Sequence, residues 1–581
     1  MFAAPLDPTR RAFRLDRYPS LGPALAHAVH AHRSNPFLVL TDRGRVVVER
    51  TFREAAQEAG RLGAWLTARG VSPGDRLAIA MSNGPRWLEG ALAGLGLGCV
   101  LVPLDARAEG AELARLLAHC GARALLTDGP VWRRLRDAPL TLEVVLVDGP
   151  LGDPSPGLGW DDALAGTRPA PWTPVVGERD APAAIVYSSG TTGGRPKGCV
   201  LTHRSYLSQL EALATLYPLA EDDVYLSVLP TNHALDFMCG FLVPVLCGAR
   251  VVHLRTLRPE WLVRACQDHG VTHLSAVPAL LQALEGRLRE RLDAHEGLAA
   301  TGLRGVRALN AWLTRDRPRA AVSRALLAPV HRALGGRLSR IFAGGAFVPR
   351  DTARALYDLG LPVAIGYGLT EACAVVTVND LRPFRDDTVG LPLPGTEVRI
   401  DGRGPDGVGE VVVRGPQVFQ GYLDDPDLTR ETIVDGWLRT GDLGVLDAAG
   451  HLRLVGRKKH MVVTAGGKNV YPEEVESRFD GLPAAEEHAV VAAHAVWPAR
   501  PGDDERLLLV VRPRGSADGL VDGLVGEAAR RARALPEHLR PAGLLVEPEP
   551  FPRTTSLKLR RDLLARGLGA RARRDDVRAL R

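Results

Sequence analysis

The stretch Ile185–His203 reads IVYSSGTTGGRPKGCVLTH. Its apolar start predicts a buried strand that leads into a loop of glycine, serine and threonine and ends near Lys197. Glycines let backbone N–H groups face an anion, the hydroxyl groups add donors, and the lysine supplies a point charge. The stretch therefore predicts a polyphosphate-binding loop, although the GxxxxGK[ST] spacing of a Walker A loop is absent. A flexible linker is the alternative interpretation.

Lysine is rare in this chain, because only five of its 73 lysine and arginine residues are lysines. Lysine is a compact, flexible point charge and arginine is a rigid planar fork, so the two do not replace each other at a tight site. The lysines are Lys197, Lys458, Lys459, Lys468 and Lys558, in the segments Tyr187–Gly198, Gly456–Glu476 and Arg553–Arg561. These three segments are the first places to look for a functional site.

The composition is that of an ordinary globular protein, with 45% hydrophobic and 24% charged residues in 581 positions. This length predicts more than one domain. The cysteines are odd in number and scattered, which predicts reduced thiols rather than a disulfide framework or a zinc site: Cys99, Cys120, Cys199, Cys239, Cys247, Cys266 and Cys373. The segment Met1–Arg17 lacks the apolar run of a signal peptide. Gly90–Leu104 and Phe237–Ala249 are too short to span a membrane, so a cytoplasmic protein is expected.

Positive charge is concentrated at the C-terminus. Arg553–Arg581 holds ten basic and three acidic residues, and this net charge of +7 exceeds the +6 of the whole chain. Contact with a membrane surface and attraction to a polyphosphate are two functional interpretations. A solvated, partly helical terminus is the third. No aromatic residue alternates with these arginines after Phe551, which argues against a nucleic-acid partner.

The first half of the chain alternates helix and strand patterns, which predicts an α/β fold with parallel sheets. Predicted helices are Thr51–Gly70, Pro85–Leu97 and Glu109–Cys120; predicted strands are Arg76–Met81, Cys99–Pro103, Ala122–Thr127, Val224–Leu229, Arg250–Leu254, Thr272–Ala276 and Leu338–Phe342. Gly149–Pro182 is rich in proline and glycine and predicts a linker over the surface. Glu285–Gly336 predicts an arginine-rich helical insertion, either a lid or a structural spacer. Short β runs follow from Thr388 to Val455, and an α+β pattern follows Gly456.

Six further segments extend the pattern of the phosphate loop. They are GGA at Gly344–Ala346, GYGLTEA at Gly366–Ala372, RTGDLG at Arg439–Gly444, GRKKH at Gly456–His460, GGKNVYPEEVE at Gly466–Glu476 and PRTTSLKLRR at Pro552–Arg561. With the STG-rich loop ending in PKG, this order resembles the adenylate-forming superfamily, which includes acyl-CoA synthetases, luciferases and the adenylation domains of peptide synthetases. The resemblance covers about Leu21 to Arg561.

The resemblance implies a fold of two domains. Residues 1–458 would form a large adenylation domain of parallel α/β sheets with a distorted β-barrel subdomain. Residues 459–581 would form a small mobile α+β domain. The hinge would be Lys459, between the two half-reactions of the enzyme.

The resemblance also implies ATP, Mg²⁺ and coenzyme A as cofactors. Tyr367 would stack on adenine, Asp442 would accept hydrogen bonds from the ribose hydroxyls, and Arg457 would contact ribose or phosphate. Thr370 would bind a phosphate oxygen and Glu371 would bind Mg²⁺, which prefers oxygen ligands. The nucleotide- and CoA-binding residues would be Ser189, Gly190, Thr191, Thr192, Gly193, Lys197, Gly344, Gly345, Ala346, Gly366, Tyr367, Gly368, Asp442, Arg457, Lys459, Gly466 and Gly467. Without the other motifs, Tyr367 and Glu371 would be better interpreted as a core aromatic and a helix-start acid.

Catalysis is implied to rest on positioning and positive charge. Lys558 would bridge the substrate carboxylate and the α-phosphate, and Gly466 and Gly467 would line the passage for the pantetheine arm. His233 matches the aromatic or histidine position beside the acyl site, and a core histidine is the alternative.

Three positions depart from the family pattern. The phosphate loop is one residue longer than usual, so Gly193–Arg195 cannot be assigned singly. Leu557 stands where the family often has glycine. Some long-chain fatty-acid ligases have a similar TLK-type ending, so Leu557 favours that branch of the family. Asp236 lies near the aspartate that holds the amine in amino-acid adenylation domains, but that position aligns with Ala234; Asp236 is predicted to be a helix N-cap.

The first hypothesis is therefore an ATP-dependent ligase that joins a medium- or long-chain fatty acid to CoA. The second is a stand-alone ligase that loads an acyl carrier protein. The third is a catalytically silent binding relative, which the presence of Lys197, Glu371, Asp442, Arg457 and Lys558 disfavours. The acyl chain length, the oligomeric state and a peripheral membrane contact stay open.

Overall fold

The computed structural model describes residues 14–149, 157–168, 170–188, 196–293, 297–463, 469–498, 506–515, 518–554 and 559–580. The chain forms two compact units. Unit 1 is Met1–Val398 with Val413–Leu438, and unit 2 is Arg399–Val412 with Arg439–Arg581. The boundary predicted between residues 458 and 459 is the point about which the C-terminal domain would rotate, and it stays a prediction.

The first part of unit 1 alternates helices and strands as predicted. Thr51 caps the first long helix: its hydroxyl accepts from Glu54 N, and the Glu54 carboxylate accepts from Thr51 N. This capping box satisfies two N–H groups that lack a partner in the helix. The elements are α1 (Leu21–Ala31), β1 (Pro36–Asp42), β2 (Arg45–Thr51), α2 (Phe52–Thr67), β3 (Arg76–Ala80), α3 (Pro85–Leu97), β4 (Val100–Pro103), α4 (Gly110–Cys120), β5 (Ala124–Asp128), α5 (Gly129–Leu135), β6 (Val144–Asp148), β7 (Leu158–Gly159), α6 (Trp160–Ala165) and β8 (Pro182–Tyr187).

The second part of unit 1 contains the predicted helical insertion, as four helices between two strands. A π-helical turn, Phe237–Leu242, precedes it. The elements are β9 (Gly198–Thr202), α7 (His203–Leu216), β10 (Val224–Ser227), α8 (Ala234–Asp236), α9 (Val243–Cys247), β11 (Arg250–Leu254), α10 (Pro259–His269), β12 (His273–Ala276), α11 (Pro278–Asp293), α12 (Gly297–Thr314), α13 (Ala320–Leu326), α14 (Ala328–Ala333), β13 (Arg340–Ala343), α15 (Arg350–Asp358), β14 (Val363–Tyr367), β15 (Thr377–Val378) and β16 (Leu391–Pro392).

Short strands follow, as the texture of the sequence predicts. They are β17 (Glu397–Asp401), β18 (Gly409–Arg414), β19 (Gly421–Tyr422), then helix α16 (Pro426–Thr432), β20 (Ile433–Val434), β21 (Trp437–Leu446) and β22 (Leu452–Arg457). Strands β17, β18, β20, β21 and β22 form a five-stranded sheet, through which the division between the units passes. These are the strands predicted to form a distorted β-barrel subdomain.

Two mainly parallel sheets organise unit 1. One has nine strands in the order β16-β15-β14-β13-β12-β10-β11-β1-β2, and the other has eight in the order β19-β9-β8-β4-β3-β5-β6-β7. The central pairs of both sheets are parallel, and the antiparallel pairs lie toward the ends, at β2, β15, β16, β9 and β19. The predicted α/β class with parallel sheets is confirmed.

The last part of unit 2 has the predicted α+β pattern. Its elements are β23 (Val462–Val463), β24 (Asn469–Val470), α17 (Pro472–Glu476), β25 (Ala485–Ala492), α18 (Ala493–Val496), β26 (Leu507–Pro513), α19 (Asp518–Arg533), β27 (Gly543–Val546), α20 (Arg561–Arg571) and β28 (Arg578–Ala579). A four-stranded sheet in the order β25-β26-β27-β28 has an apolar core on each face.

The linker predicted for Gly149–Pro182 is wrong for Leu158–Ala165, which form β7 and α6, whereas residues 170–181 contain neither helix nor strand and none of them is buried. Trp160 begins α6 and is buried, and Trp172 donates to Leu92 O on α3 at 3.1 Å. The helices leave room for this segment at glycines: a Cβ on Gly96 would lie 2.2 Å from Trp172 Nε1, and one on Gly60 would lie 2.2 Å from Ala170 O. The burial of Trp160 and the hydrogen bond of the half-buried Trp172 hold this segment against the helices despite its proline and glycine composition.

The structure shows the surroundings of the cysteines and of the basic C-terminal segment. All seven cysteines are free and buried, as predicted. Four terminal arginines pair with carboxylates of unit 2: Arg553 with Glu487, Arg561 with Glu476, Arg571 with Glu547 and Arg578 with Asp522. Much of the local positive charge is therefore balanced within the unit. In the part of the chain that is described, no helix has the length and apolarity that crossing a membrane requires.

Candidate active site

Small residues of the predicted nucleotide site follow two neighbouring parallel strands. Gly344, Gly345 and Ala346 come directly after β13, and Gly366 lies near the end of β14. A Cβ on Gly344 would lie only 3.0 Å from Gly366 O, and Gly345 has a φ of 84°, which favours glycine. The carboxyl edge of a parallel sheet is where ligands bind in α/β folds. Unit 1 thus brings these predicted residues together.

Tyr367 and Gly368 continue from the same edge. The side chain of Tyr367 is 8% exposed, and Tyr367 O accepts from Val376 N at 2.8 Å. Gly368 has no room for a side chain, since a Cβ there would lie 1.7 Å from Ala374 O. The glycine therefore allows the chain to turn tightly beside the tyrosine.

Glu371 lies in a short 3₁₀ turn, Thr370–Ala372, that follows this edge. Its Oε1 accepts a hydrogen bond from the hydroxyl of Tyr422 at 2.9 Å, and its backbone oxygen accepts from Phe419 N at 2.8 Å. Burial and the neighbouring Glu371 carboxylate raise the pKa of Tyr422 far above its usual value. The phenol therefore stays protonated and fixes one oxygen of the carboxylate. Thr370 is half-buried beside it.

Lys197 belongs to the same cluster. It immediately precedes β9, which pairs with β19, the strand that carries Tyr422. Its Nζ lies 5.8 Å from the centre of the Tyr422 ring, within the range of a cation–π contact. Two predicted residues, Lys197 and Glu371, thus meet at a tyrosine that sequence reasoning missed. The remaining phosphate-loop predictions, Ser189, Gly190, Thr191, Thr192 and Gly193, lie outside the described residues.

His233 is the N-cap residue of α8 and is half-buried, which argues against the core-histidine interpretation. Asp236 directly precedes the apolar π-helical turn Phe237–Leu242 and occupies its N-cap position, as predicted, but its side chain makes no capping hydrogen bond. It ends α8, is 0% exposed, and its Oδ2 accepts from Ser227 Oγ at 2.8 Å and from Thr231 Oγ1 at 2.9 Å. Helix α8 precedes the π-helical turn, and the chain turns into α8 after Pro230, where His233 N donates to Pro230 O.

Asp236 is an unusual buried acid. Its Oδ1 has no hydrogen-bond partner in the described part of the chain and faces Gly240, where a Cβ would lie 2.5 Å away. Burial raises the pKa of Asp236 to about 7, and its two hydroxyl partners offset only part of that effect. The π-helical turn that contains Gly240 packs Phe237 and Phe241 edge-on against Trp87. Such π-helical turns are frequent at functional sites.

In unit 2, Asp442 and Arg457 face each other on β21 and β22. Arg457 Nε lies 2.7 Å from Asp442 Oδ1; the carboxylate is 7% exposed and the guanidinium 48% exposed. The hairpin between these strands closes at Asp447–Gly450. A buried carboxylate is thus presented beside a cation at the end of a strand.

A second carboxylate of unit 2, Glu410, was not predicted from the sequence. It lies 3.1 Å from Arg439 Nη1 and 3.2 Å from Lys458 Nζ, and it accepts from Gly441 N at 3.2 Å. It fixes the turn before Asp442 and the turn Lys458–His460. Lys459 in that turn is exposed. Gly466, Gly467 and Lys558 lie outside the described residues.

The residues present fit Mg²⁺ and a nucleotide by their chemistry. Mg²⁺ is commonly held by one or two carboxylates together with substrate phosphates. Glu371 offers an oxygen beside its tyrosine-bound one, and Asp442 offers a buried acceptor for hydroxyl groups. The described residues contain no group of three or more His, Cys, Asp or Glu that could hold a metal ion.

The chain matches the AMP-binding enzyme family over residues 25–423 and belongs to that family. It is 30% identical over 514 residues to the sulfoacetate–CoA ligase of Cupriavidus necator, covering 86% of this chain and 88% of that protein. It is 28% identical over 549 residues to the medium-chain fatty-acid–CoA ligase of Escherichia coli, covering 90% and 87%. The solved structure of the anthranilate CoA ligase AuaEII has a TM-score of 0.75 at 21% identity, covering 95% of this chain and 98% of that one, and supports the fold.

The superfamily, the enzyme class and the cofactors predicted from the sequence are confirmed. The chain is an acid–thiol ligase of the AMP-forming kind that uses ATP, Mg²⁺ and CoA, and its carboxylic acid passes through an acyl adenylate. The relatives act on acids as different as a sulfonate and a fatty acid, so the family alone leaves the acid open.

Proposed function

We propose that this ligase activates a medium- or long-chain fatty acid and transfers it to CoA. The observation that carries the proposal is the segment after His233. From Phe237 to Cys247 every described residue is buried, and the sequence holds no basic residue there. An anionic substituent would find no fixed counter-charge along this segment, whereas an alkyl chain needs none.

The reaction has two steps. A carboxylate oxygen of the acid attacks the α-phosphorus of ATP, an O–P bond forms, and the α–β bridge breaks to release pyrophosphate. The CoA sulfur then attacks the acyl carbon, a C–S bond forms, the thiol proton is lost, and AMP leaves with the attacking carboxylate oxygen. Both steps bring anions together, so they depend on placed positive charge.

In unit 1, Lys197 and Thr370 are proposed to bind phosphate oxygens and Glu371 to bind Mg²⁺. The Tyr422 contact supports this, because a carboxylate held on one oxygen presents the other in a fixed direction. Gly344, Gly345 and Ala346 would allow adenine to lie against the backbone, with Tyr367 beside it. The adenine proposal rests on residues that share one sheet edge, at the carboxyl ends of β13 and β14.

In unit 2, Asp442 is proposed to accept hydrogen bonds from the ribose, with Arg457 beside it. Lys558 would stabilise charge on the carboxylate and α-phosphate, and Lys459 would be the hinge between the half-reactions. Gly466 and Gly467 would line the path of the pantetheine arm. The roles of Asp442 and Arg457 are supported by the burial of the Asp442 carboxylate and its 2.7 Å contact with Arg457.

Release of AMP from ATP in the presence of Mg²⁺ tests the proposal. The acids to compare are fatty acids from acetate to palmitate, with sulfoacetate and ferulate as alternative substrates. We expect CoA-dependent turnover over one band of alkyl chain lengths. Turnover only with sulfoacetate or ferulate would overturn the fatty-acid assignment. Adenylate formation with fatty acids but no transfer to CoA would instead favour an acyl carrier protein as the acceptor.

A peripheral membrane contact of a cytoplasmic enzyme is also proposed, on the insertion rather than the basic terminus. Leu309 and Trp312 on α12 are 45% and 60% exposed, and residues 302–336 hold seven arginines and one acidic residue. An exposed apolar face beside arginines suits an anionic lipid surface. Trp312→Ser should abolish sedimentation with phosphatidylglycerol vesicles; unchanged sedimentation would contradict the proposal.

A further inference from the structure

Glu473, on α17, is half-buried, with 22% of its side chain exposed, and has three neighbours in unit 2. Its Oε1 lies 2.9 Å from His460 Nδ1 and 3.3 Å from Arg561 Nη2. Its Oε2 faces Gly456, where a Cβ would lie 2.9 Å away, and has no hydrogen-bond partner in the described part of the chain. The carboxylate therefore contacts the chain on both sides of Lys459 and also contacts the first residue of α20.

Arg561 is fixed by more than Glu473. Its guanidinium donates to both oxygens of Glu476 and to Val490 O, and Glu476 Oε1 also accepts from Val490 N at 2.6 Å. Only 12% of the arginine side chain is exposed. Burial would lower the pKa of Arg561, but the two glutamates raise it above its usual value, so the pair stays ionised. For Glu473 the signs are reversed: burial alone would raise its pKa, but His460 and Arg561 bring the pKa below its usual range.

The segment before α20 is tied to the same body. Arg553 and Leu559 form an antiparallel bridge, and Arg560 N donates to Pro552 O at 2.8 Å. Arg553 lies 2.7 Å from Glu487, whose other oxygen accepts from Phe551 N at 3.0 Å. Lys558 comes three residues before Arg561 in the sequence.

From this arrangement we infer that Glu473 is a positioning residue, which links the turn containing Lys459 to Arg561 and so sets how the segment of Lys558 is presented. The inference rests on the proposed roles of Lys459 and Lys558. A carboxylate that contacts both a turn and an arginine links the placement of one to the placement of the other, and Glu476 keeps the arginine paired when that link is removed. Its effect should fall on the half-reaction that uses Lys558.

The two half-reactions separate this role from a structural one. Adenylation is measured as pyrophosphate release with a fatty acid, and thiolation as acyl-CoA formation from supplied acyl-AMP. Glu473→Gln should lower adenylation about 10- to 100-fold, the scale of a small misplacement, while thiolation from acyl-AMP changes little. Glu473→Asp should recover part of the loss. Glu527→Gln, which removes a surface carboxylate that pairs with Arg530 and Arg531 in the same unit, should change neither.

A second variant keeps the test independent of folding. His460→Ala removes one contact of Glu473 and leaves its pair with Arg561, and it should lower adenylation in the same direction. Equal loss of both half-reactions, or no loss in either variant, would overturn the inference if Lys558→Ala selectively abolishes adenylation. If Lys558→Ala leaves adenylation intact, the proposed function of Lys558 fails instead, and Glu473 has no lysine to position.

Discussion

At the scale of single residues, a neutral phenol holds the carboxylate of Glu371. Tyr422 donates to it at 2.9 Å and stays protonated because burial raises its pKa. A cation in that place would neutralise the charge that Mg²⁺ requires, whereas a phenol orients the carboxylate without neutralising it. Lys197 Nζ lies 5.8 Å from the centre of the same ring.

Tyr422→Phe removes this hydrogen bond and keeps the ring. We expect the Mg²⁺ concentration for half-maximal rate to rise about 10-fold or more, since one hydrogen bond to a charged acceptor contributes roughly 1.5–3 kcal/mol. Calorimetric binding of MgATP gives a readout apart from turnover. Tyr357→Phe, which removes a buried hydroxyl from Thr314 O in unit 1, is the matched control. An unchanged Mg²⁺ dependence would show that Tyr422 does not orient Glu371.

Asp236 makes stability depend on pH. Its pKa rises from 3.8 to about 7 in the folded protein, so folding favours the protonated acid. Stability is then greatest below about pH 4 and falls as the pH rises toward 7, where the carboxylate must ionise in a buried place. At roughly 1.4 kcal/mol per pKa unit, the loss above pH 7 is ~4 kcal/mol.

Asp236→Asn keeps the shape and removes the ionisation. The variant should unfold at a higher urea concentration than the wild type at pH 8 and should differ little from it at pH 4. Asp137→Asn, at a side chain that is 89% exposed, should change neither midpoint. Glu89, whose pKa burial also raises to about 7, leaves some pH dependence in both proteins. A variant with the wild-type slope between pH 4 and 7 would contradict this account.

At the scale of elements, the π-helical turn Phe237–Leu242 is shaped by Gly240. The missing side chain leaves space for the Asp236 carboxyl, which Ser227 and Thr231 hold in place. The acid therefore cannot move aside for a larger residue. This turn and the acid lie in the segment proposed to carry the acyl specificity.

Gly240→Ala should lower the free energy of unfolding by ~1–3 kcal/mol, because its Cβ would overlap Asp236. If the segment lines the acyl site, the preferred acid should also become shorter. Gly286→Ala on α11 is the matched control: a Cβ there meets nothing within 4 Å, so the change should stabilise by ~0.5–1 kcal/mol. Unchanged chain-length preference in Gly240→Ala would remove this segment from the acyl site.

Helices and strands were predictable where period and caps agree. The helix Pro85–Leu97 has its predicted bounds because proline stands at its start and Gly98 ends it in the left-handed conformation. The linker prediction failed at Leu158–Ala165 because composition does not show that Trp160 is buried. Tyr422 was missed for a related reason: its contact with Glu371 joins residues 51 positions apart, and no local pattern marks it.

At the scale of the whole molecule, the predicted site residues are divided between the two units. The glycine edge, Glu371 and Lys197 belong to unit 1, and Asp442, Arg457 and Lys459 belong to unit 2. Ordered motifs made the family and its chemistry predictable, because each residue type suits its role. The substrate acid was not predictable in this way, since no local motif specifies it and the segment after Asp236 is only proposed to line its site.

The fate of a carboxylate oxygen tests the central claim most directly. With decanoate labelled with ¹⁸O in both carboxylate positions, plus ATP, Mg²⁺ and CoA, the products are analysed by mass spectrometry. The account predicts one ¹⁸O in AMP, the other in decanoyl-CoA, and none in pyrophosphate. Label in a released phosphate together with ADP, or no decanoyl-CoA at all, would contradict it.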